Sequence, residues 1–318
     1  MSAPVAVYTD VGELDPGPGV AHLESHGFVV RVLDSDDPDH IADKANDATV
    51  LLIGYTPVGE ALLSRLPLLK LICTQSAGVD TVDLDAAARR GVCVANVPDA
   101  ASEEVASHAL AMGCGLLRGL PFLDRAVRSG TWDGSTERLR RLSASTLGVV
   151  GMGRIGRRLA AMAQPLFATV LGHDPLLPVD RWPPGMSPCN LDDLMARSDV
   201  VSLHAPLTPS NRGIIGAPQL GLMRAGSMLV NVARGELIDH TALMDALDAG
   251  RLGGAALDVF PEEPPTDLRL LQHPRLWLSP HAAYLSDASA RDYVMTQAEN
   301  ATSWLTTGTV VHSVVVGE

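Results

Sequence analysis

The sequence predicts an α/β chain built as two doubly wound parallel-sheet domains. Three observations carry that expectation. Short Val/Ile/Leu-rich runs alternate with helical runs along most of the chain, and alternating β and α segments build a parallel sheet with helices on both faces. Hydrophobic residues make up 46% of the 318 residues and aromatics only 4%, so the cores are filled by aliphatic side chains, which suits strands buried on both faces. The alternation is broken once by a long apolar helical run and then starts again, which marks a second domain.

The first series has strands expected at 5–8, 28–33, 49–53, 71–73 and 92–95, each bounded by Gly, Pro or Asp. Helices are expected between them, as at 60–66 and 84–90, the latter stopped by Gly91 where a left-handed cap falls. After Asn96-Val97-Pro98 the pattern becomes one helix over 102–118. Ser102 is its expected N-cap, and Glu103 and Glu104 suit the positive end of its dipole. Its interior is apolar almost all round, so burial on most sides is expected. The second series places strands at 146–150, 170–173, 200–204, 228–232, 255–259 and 276–278. A helix over 286–304 and an extended piece over 310–316 close the chain. The simplest division gives one domain from 1–96 plus 286–318 and another from 97–285.

A formal net charge of −13 argues against unspecific binding to nucleic acid or to an anionic membrane, both of which need an excess of Lys and Arg. It leaves room for an anionic substrate held by a few local donors. The first residues, MSAPVAVYTD, show no basic run followed by a long apolar core, so no signal peptide is expected. No window of about 18 apolar residues suggests a membrane span, and a cytoplasmic protein is expected. Cys73, Cys93, Cys114 and Cys189 are widely spaced in or beside apolar stretches. Buried reduced thiols are the expectation, with neither a disulfide framework nor a metal site.

The clearest motif is Gly151-Met152-Gly153-Arg154-Ile155-Gly156, directly after the apolar run at 146–150 and before a run with helical spacing. Glycine-rich turns match G-x-G-x-x-G by chance, but here the motif has its required strand–turn–helix context. Gly151 permits the turn, Gly153 lets the backbone approach a pyrophosphate, and Gly156 lets helix and strand pack closely. Asp174 lies 18 residues beyond Gly156, near the spacing of the carboxylate that binds the ribose hydroxyls. No Arg directly follows it to attract a 2′-phosphate, so NAD is expected in preference to NADP. An S-adenosylmethionine site or a plain structural turn are the other readings of the motif.

Three polar segments end later strands, where open α/β sheets place ligands. They are Asn231-Val232-Ala233-Arg234-Gly235-Glu236, Asp258-Val259-Phe260-Pro261-Glu262-Glu263-Pro264 and Ser279-Pro280-His281-Ala282-Ala283-Tyr284. Reducing a 2-oxo acid needs an acid near neutrality to protonate the new hydroxyl, which a His supplies. It needs a planar cation for the carboxylate and carbonyl, which Arg supplies, and a carboxylate behind the His to fix its tautomer. Arg234, Glu263 and His281 are those three parts. From the pattern alone each also reads blandly: Arg234 as a surface ion pair, Glu263 as part of a solvated acidic loop, His281 as a structural histidine.

Taken together and in order, these segments and the run Asp199-Val200-Val201-Ser202-Leu203-His204-Ala205-Pro206-Leu207-Thr208 resemble the D-isomer-specific 2-hydroxyacid dehydrogenase family over most of the chain. The resemblance implies a Rossmann NAD-binding domain and a flavodoxin-like substrate domain, with Arg234, Glu263 and His281 as the catalytic set. It implies a cofactor site made by the glycine loop, Asp174, Val105, His204, Ala205, Pro206, Ala233, Arg234, Asp258 and His281, with Asp258 towards the nicotinamide carboxamide. Substrate contacts fall on Tyr55, Ala77, Gly78, Arg234, His281 and Tyr284, the carboxylate being held by backbone N–H groups of the Ser76–Asp80 loop. Members are commonly homodimers joined through the cofactor domain, here through roughly 102–142.

The segments at 96–106 and 281–284 are most similar to the C-terminal-binding-protein branch of NADH-responsive corepressors, which often has Trp at the place of Tyr284. Gly54-Tyr55-Thr56 lacks the cationic side chain expected for a phosphorylated substrate. No regulatory domain is expected after residue 318, and hence no feedback control of the kind some relatives show. The leading function is NAD-dependent interconversion of a small 2-oxo acid and a D-2-hydroxy acid. A corepressor-like sensor with little turnover, or a formate or phosphite dehydrogenase of the same architecture, stands as the alternative.

Overall fold

The computed structural model describes residues 3–12, 14–132, 139–184, 186 and 188–315. The first series is β1 (Val5–Tyr8), α1 (Gly17–Ser25), β2 (Val29–Val32), α2 (Pro38–Lys44), β3 (Val50–Ile53), α3 (Glu60–Leu63), β4 (Leu71–Thr74), α4 (Leu84–Arg89) and β5 (Cys93–Ala95). Two helices follow, α5 (Ser102–Leu117) and α6 (Leu120–Arg128). Next come β6 (Thr146–Val150), α7 (Arg154–Ala163), β7 (Thr169–His173), α8 (Leu191–Arg197), β8 (Val200–Leu203) and α9 (Ala217–Leu222). After them stand β9 (Ser227–Asn231), α10 (His240–Asp248), β10 (Leu252–Leu257), α11 (Leu268–Leu271) and β11 (Leu276–Leu278). The tail is α12 (Asp287–Thr307) and β12 (Ser313–Val315). The chain divides into two compact units, Met1–Ala100 with Leu285–Glu318, and Ala101–Tyr284.

The sheet of the first unit runs β2-β1-β3-β4-β5-β12. Its first five strands are parallel, in the 2-1-3-4-5 order of flavodoxin-like sheets, and β12 adds antiparallel to β5. Alternation along the strands feeds two cores. Val7, Leu51, Ile53 and Ile72 pack with Ile41, Leu62 and Ala86 on one face, and Ala6, Tyr8, Leu52 and Leu71 pack with Leu23, Ala298 and Ala301 on the other. Side chains of α12 thus complete a layer begun by α1. Ser286 and Ser289 form a capping box that starts α12. At the edge, β2 is shorter than expected and leaves Val29 and Val32 exposed. Of the extended piece expected at 310–316, β12 covers three residues, and 316 lies outside the described residues.

The second unit is a parallel sheet in the order β7-β6-β8-β9-β10-β11. Beyond β7 a parallel bridge joins Pro188 to Gly172. With that bridge as its third strand the sheet has the 3-2-1-4-5-6 order of dinucleotide-binding folds, extended by β11. Both prediction and structure are two doubly wound sheets. Apolar clusters fill both faces, and α5 approaches so closely that a Cβ on Gly115 would sit 2.5 Å from the Trp277 ring. The cap of α5 differs from expectation: Ala101 holds the N-cap position and Ser102 is already helical. The helix therefore begins without a side-chain cap bond, and Glu103 and Glu104 provide the negative charge in its first turn. Gly91 has the expected left-handed backbone, φ +66. Cys73 is buried and Cys93, Cys114 and Cys189 half-buried, and burial pushes the Cys73 thiol up. Among the described residues no helix is long and apolar enough to cross a membrane, and no His/Cys/Asp/Glu group of metal-binding size occurs.

Candidate active site

The glycine loop lies at the switch point of the second sheet, where β7 and β8 diverge from opposite sides of β6. Gly151 has φ +92, and a Cβ there would meet Ala205 N at 2.5 Å and His204 C at 2.6 Å. Only glycine fits that turn. A Cβ on Gly156 would collide with Gly151 O at 1.9 Å, whereas one on Gly153 would meet nothing within 4 Å. The loop is thus tight beneath and open above. Gly153 caps α7 with no side-chain hydrogen bond, and the first turn carries no acidic residue. Its N–H groups and the helix dipole are arranged to receive an anion. Met152 is buried, Arg154 exposed and Ile155 half-buried. Asp174 is half-buried and accepts from Met152 N at 2.9 Å and Leu176 N at 2.9 Å, which ties it to the glycine loop. These residues fit a dinucleotide.

Across the switch point, His204 N donates to Val150 O at 2.7 Å. Its Nε2 bonds Ser202 Oγ at 2.8 Å, while its Nδ1 is buried with no partner among the described residues. Burial pushes the ring's pKa down to about 3, so His204 is neutral in ordinary buffers. Ala205 is half-buried, Pro206 exposed, and Val105 half-buried in the first turn of α5.

The adjacent strands β9 and β10 deliver the other candidates. Asn231, fully buried, accepts from Ala233 N at 3.0 Å and donates Nδ2 to Arg234 O at 2.8 Å, folding the loop that carries half-buried Arg234. Arg234 Nη1 donates to Ala233 O at 2.8 Å. A Cβ on Gly235 would meet Phe260 C at 2.1 Å, so this loop lies directly on the segment leading to Glu263. Glu263 Oε1 accepts from Phe260 N at 2.8 Å, and Oε2 bonds His281 Nδ1 at 2.7 Å. Burial would raise the Glu263 carboxyl, but the His281 hydrogen bond, the Phe260 N–H and the charges of His281 and Arg234 outweigh it and hold the pKa below the usual value. Glu263 is therefore a carboxylate at neutral pH, and the ring nitrogen facing it is an N–H donor. The Tyr284 ring stands edge-on to His281, centroids 6.2 Å apart at 87°. Arg234, Glu263, His281 and Tyr284 are brought together as one group. Asp258 is buried beneath it, bonded to Ala282 N, Ala283 N and the Ser279 hydroxyl.

Tyr55, Ala77 and Gly78 belong to the first unit. The carbonyls of Ser76, Ala77 and Gly78 accept from Thr74 Oγ1 at 3.1 Å, Asn96 Nδ2 at 2.7 Å and Ser76 Oγ at 2.6 Å. Side chains thus shape the loop. Tyr55 is 56% exposed, and its N–H donates to Asp10. Sequence reasoning missed Asp10, which also accepts from Gly54 N at 3.0 Å, Thr56 N at 3.3 Å, Thr9 Oγ1 at 2.8 Å and the Thr56 hydroxyl. Its one sequence signal is a carboxylate two residues beyond a buried strand. Ser279 and His108, which contact each other at 3.3 Å, were missed as well.

Residues 110–283 match the model of the D-isomer specific 2-hydroxyacid dehydrogenase, NAD binding domain. D-3-phosphoglycerate dehydrogenase of Mycobacterium bovis is 37% identical over 294 residues, covering 92% of this chain and 55% of that protein. The chain thus spans about half the length of the phosphoglycerate dehydrogenases it matches. Glycerate dehydrogenase of Methylorubrum extorquens is 35% identical over 258 residues, 78% of this chain and 80% of that one. A glyoxylate reductase from Paecilomyes thermophila superposes with a TM-score of 0.89 at 28% identity, over 99% of each chain. The chain belongs to the D-isomer specific 2-hydroxyacid dehydrogenase family.

Proposed function

We propose that the chain interconverts a small 2-oxo acid and its D-2-hydroxy acid, with NAD as redox partner. The observation that carries this reading is the His281–Glu263 pair at 2.7 Å, formed on the unit that bears the glycine loop. NAD, when bound, supplies or takes the hydride. The glycine loop holds its pyrophosphate and Asp174 its ribose hydroxyls. Val105, His204, Ala205, Pro206 and Ala233 line the remainder. Arg234 grips the substrate carboxylate and polarises the carbonyl, since a guanidinium offers paired donors to both. Because Nδ1 of His281 is committed to Glu263, Nε2 is the nitrogen that exchanges the proton. In reduction His281 gives a proton to the new hydroxyl, and in oxidation it takes that proton back.

The first unit acts as the substrate domain, built from 1–96 and 286–318, with 97–285 as the cofactor domain. Backbone N–H groups of Ala77 and Gly78 take the carboxylate, and Tyr55 and Tyr284 contact the rest of a small substrate. The names of the relatives support this substrate class. We assign a homodimer through the cofactor domain: none of α6 is buried, its Leu120 and Val127 are exposed, and so is Trp132 just beyond it. The segment 133–138 of that arm lies outside the described residues. A cytoplasmic setting fits the acidic composition and the widely spaced cysteines.

The test is NADH oxidation by the purified protein against pyruvate, glyoxylate, hydroxypyruvate and longer 2-oxo acids, and NAD reduction against the matching D- and L-hydroxy acids. Turnover of at least one 2-oxo acid, with D over L in the reverse direction, is expected. NADH binding without turnover of any acid overturns the reading in favour of a sensor, and turnover of formate or phosphite alone points to the other alternative.

A further inference from the structure

His281 is delivered by a turn that its own backbone disfavours. Its φ is +51, the left-handed region in which a Cβ crowds the following carbonyl, and it is not a glycine. Asp258 opposes that strain from three directions. Its main-chain carbonyl accepts from His281 N at 2.7 Å. Its Oδ1 accepts from Ala282 N at 2.9 Å, and its Oδ2 from Ala283 N at 3.0 Å. Three successive N–H groups of the turn therefore converge on one residue. A carboxylate only 1% exposed persists because it is so bonded.

The support continues away from the turn. The Ser279 hydroxyl donates to Asp258 Oδ1, and a hydroxyl has one hydrogen to give. In the 3.3 Å contact between Ser279 Oγ and His108 Nε2 the histidine must then be the donor. His108 Nε2–H, Ser279 O–H and the Asp258 carboxylate form a directed chain from α5 to the turn. Asn231 shows the same device one strand away, where a buried polar side chain at a strand end folds the next loop and aims Arg234.

We infer that Asp258, backed by Ser279 and His108, is a positioning residue for proton exchange: its buried carboxylate locks the left-handed turn and so aims the His281 ring, which Glu263 holds by the opposite nitrogen. This role differs from a contact to the nicotinamide carboxamide and rests on His281 being the acid/base of the proposed function.

A double-mutant cycle separates the roles. Asp258→Asn keeps the shape but sets an amide NH2 against backbone N–H donors. Asp258→Asn, His281→Ala and the double variant are compared with wild type in kcat in both directions and in Kd for NADH by fluorescence. Asp258→Asn should lower kcat by about 100-fold, within the range for a lost acid/base, with Kd for NADH changed by less than about twofold. It should slow His281→Ala no further, since a group that acts only through His281 has nothing left to act on. Additive losses in the double variant, or a raised Kd with unchanged kcat, overturn the inference and place Asp258 on the cofactor. Wild-type turnover by His281→Ala defeats the acid/base reading and this inference with it. An inactive His281→Ala beside a fully active Asp258→Asn defeats this inference alone. If Asp258→Asn does not fold, the same cycle on Ser279→Ala decides. There the carboxylate stays and one neutral hydrogen bond goes, so a loss of about fivefold is expected, again vanishing in the His281→Ala background.

Discussion

The two units share the start of one topology and finish their switch points in opposite ways. Each places its first strand between its second and third. In the second unit the turn after that strand is made of glycines, and the helix it opens has no acidic cap. In the first unit the corresponding turn carries Asp10, whose carboxylate gathers the N–H groups of Gly54, Tyr55 and Thr56. The helix that follows begins with Gly17 N bonded to Asp15 Oδ1 at 2.9 Å. One switch point is filled by the chain's own carboxylates; the other leaves its helix N-terminus to an outside anion. A doubly wound sheet provides the place, but three or four side chains decide whether a phosphate can occupy it.

The strongest way to break this comparison is to give the second unit what the first has. Gly153 has φ −68 and open space where a Cβ would go, so Gly153→Asp is sterically tolerated and even caps α7. We expect stability unchanged or raised by a few tenths of a kcal/mol, and Kd for NADH raised by about 100-fold, equivalent to about 2.7 kcal/mol. Isothermal titration beside thermal melts checks both; unaltered NADH affinity would refute the anion-cradle account. A smaller effect sharpens it. Asp174 should disfavour a 2′-phosphate, so kcat/KM with NADH should exceed that with NADPH by at least about tenfold, roughly 1.4 kcal/mol. Equal values for the two cofactors would remove Asp174 from cofactor choice.

The smallest expected effect concerns the first unit and stability alone. Asp10→Ala leaves several N–H and hydroxyl donors unpaired and should cost about 1–3 kcal/mol, with Kd for NADH unmoved. Burial raises the Asp10 carboxyl, but its hydrogen bonds to Thr56, Tyr55, Gly54 and Thr9 outweigh this and hold the pKa below its ordinary value. The sign follows: ionised Asp10 stabilises the fold fully above the unfolded-state value of about 3.9, and the contribution disappears as pH falls through the lower folded value. Asp10→Asn should flatten the acid limb of stability against pH, measured by urea melts. A wild-type acid limb in that variant would show that Asp10 is not the anchor described.

What was legible in the sequence was what is local in it. The glycine loop could be read because strand, turn and helix are contiguous, and Gly156 is forced by a contact within the motif, although Gly151 is also pressed by His204 and Ala205 from the distant end of β8. Arg234, Glu263 and His281 were visible because each follows an apolar strand and their chemistries complement one another. Asp10 was not, because Gly54, Tyr55 and Thr56, which donate to it, lie more than 40 positions away and only the pairing of β1 with β3 brings them together. Nor was the turn at His281, since nothing about a histidine after Pro280 announces a positive φ. It became intelligible only through Asp258, a strand away. The early start of α5 escaped for a smaller reason: Ser102 has the right chemistry for a cap but stands one residue inside the helix.

The bridge at Pro188 has a consequence for solubility. Without it, β7 would present an open edge to any other extended chain. Cys189 N already donates to Gly172 O at 2.9 Å, so the acceptor at that point is taken. The bridge partner on the outer side is a proline, which has no N–H to offer a further strand. Among the described residues the pairing beyond β7 is that one bridge, and an imino acid stands at it. That edge is blunted there against edge-to-edge pairing.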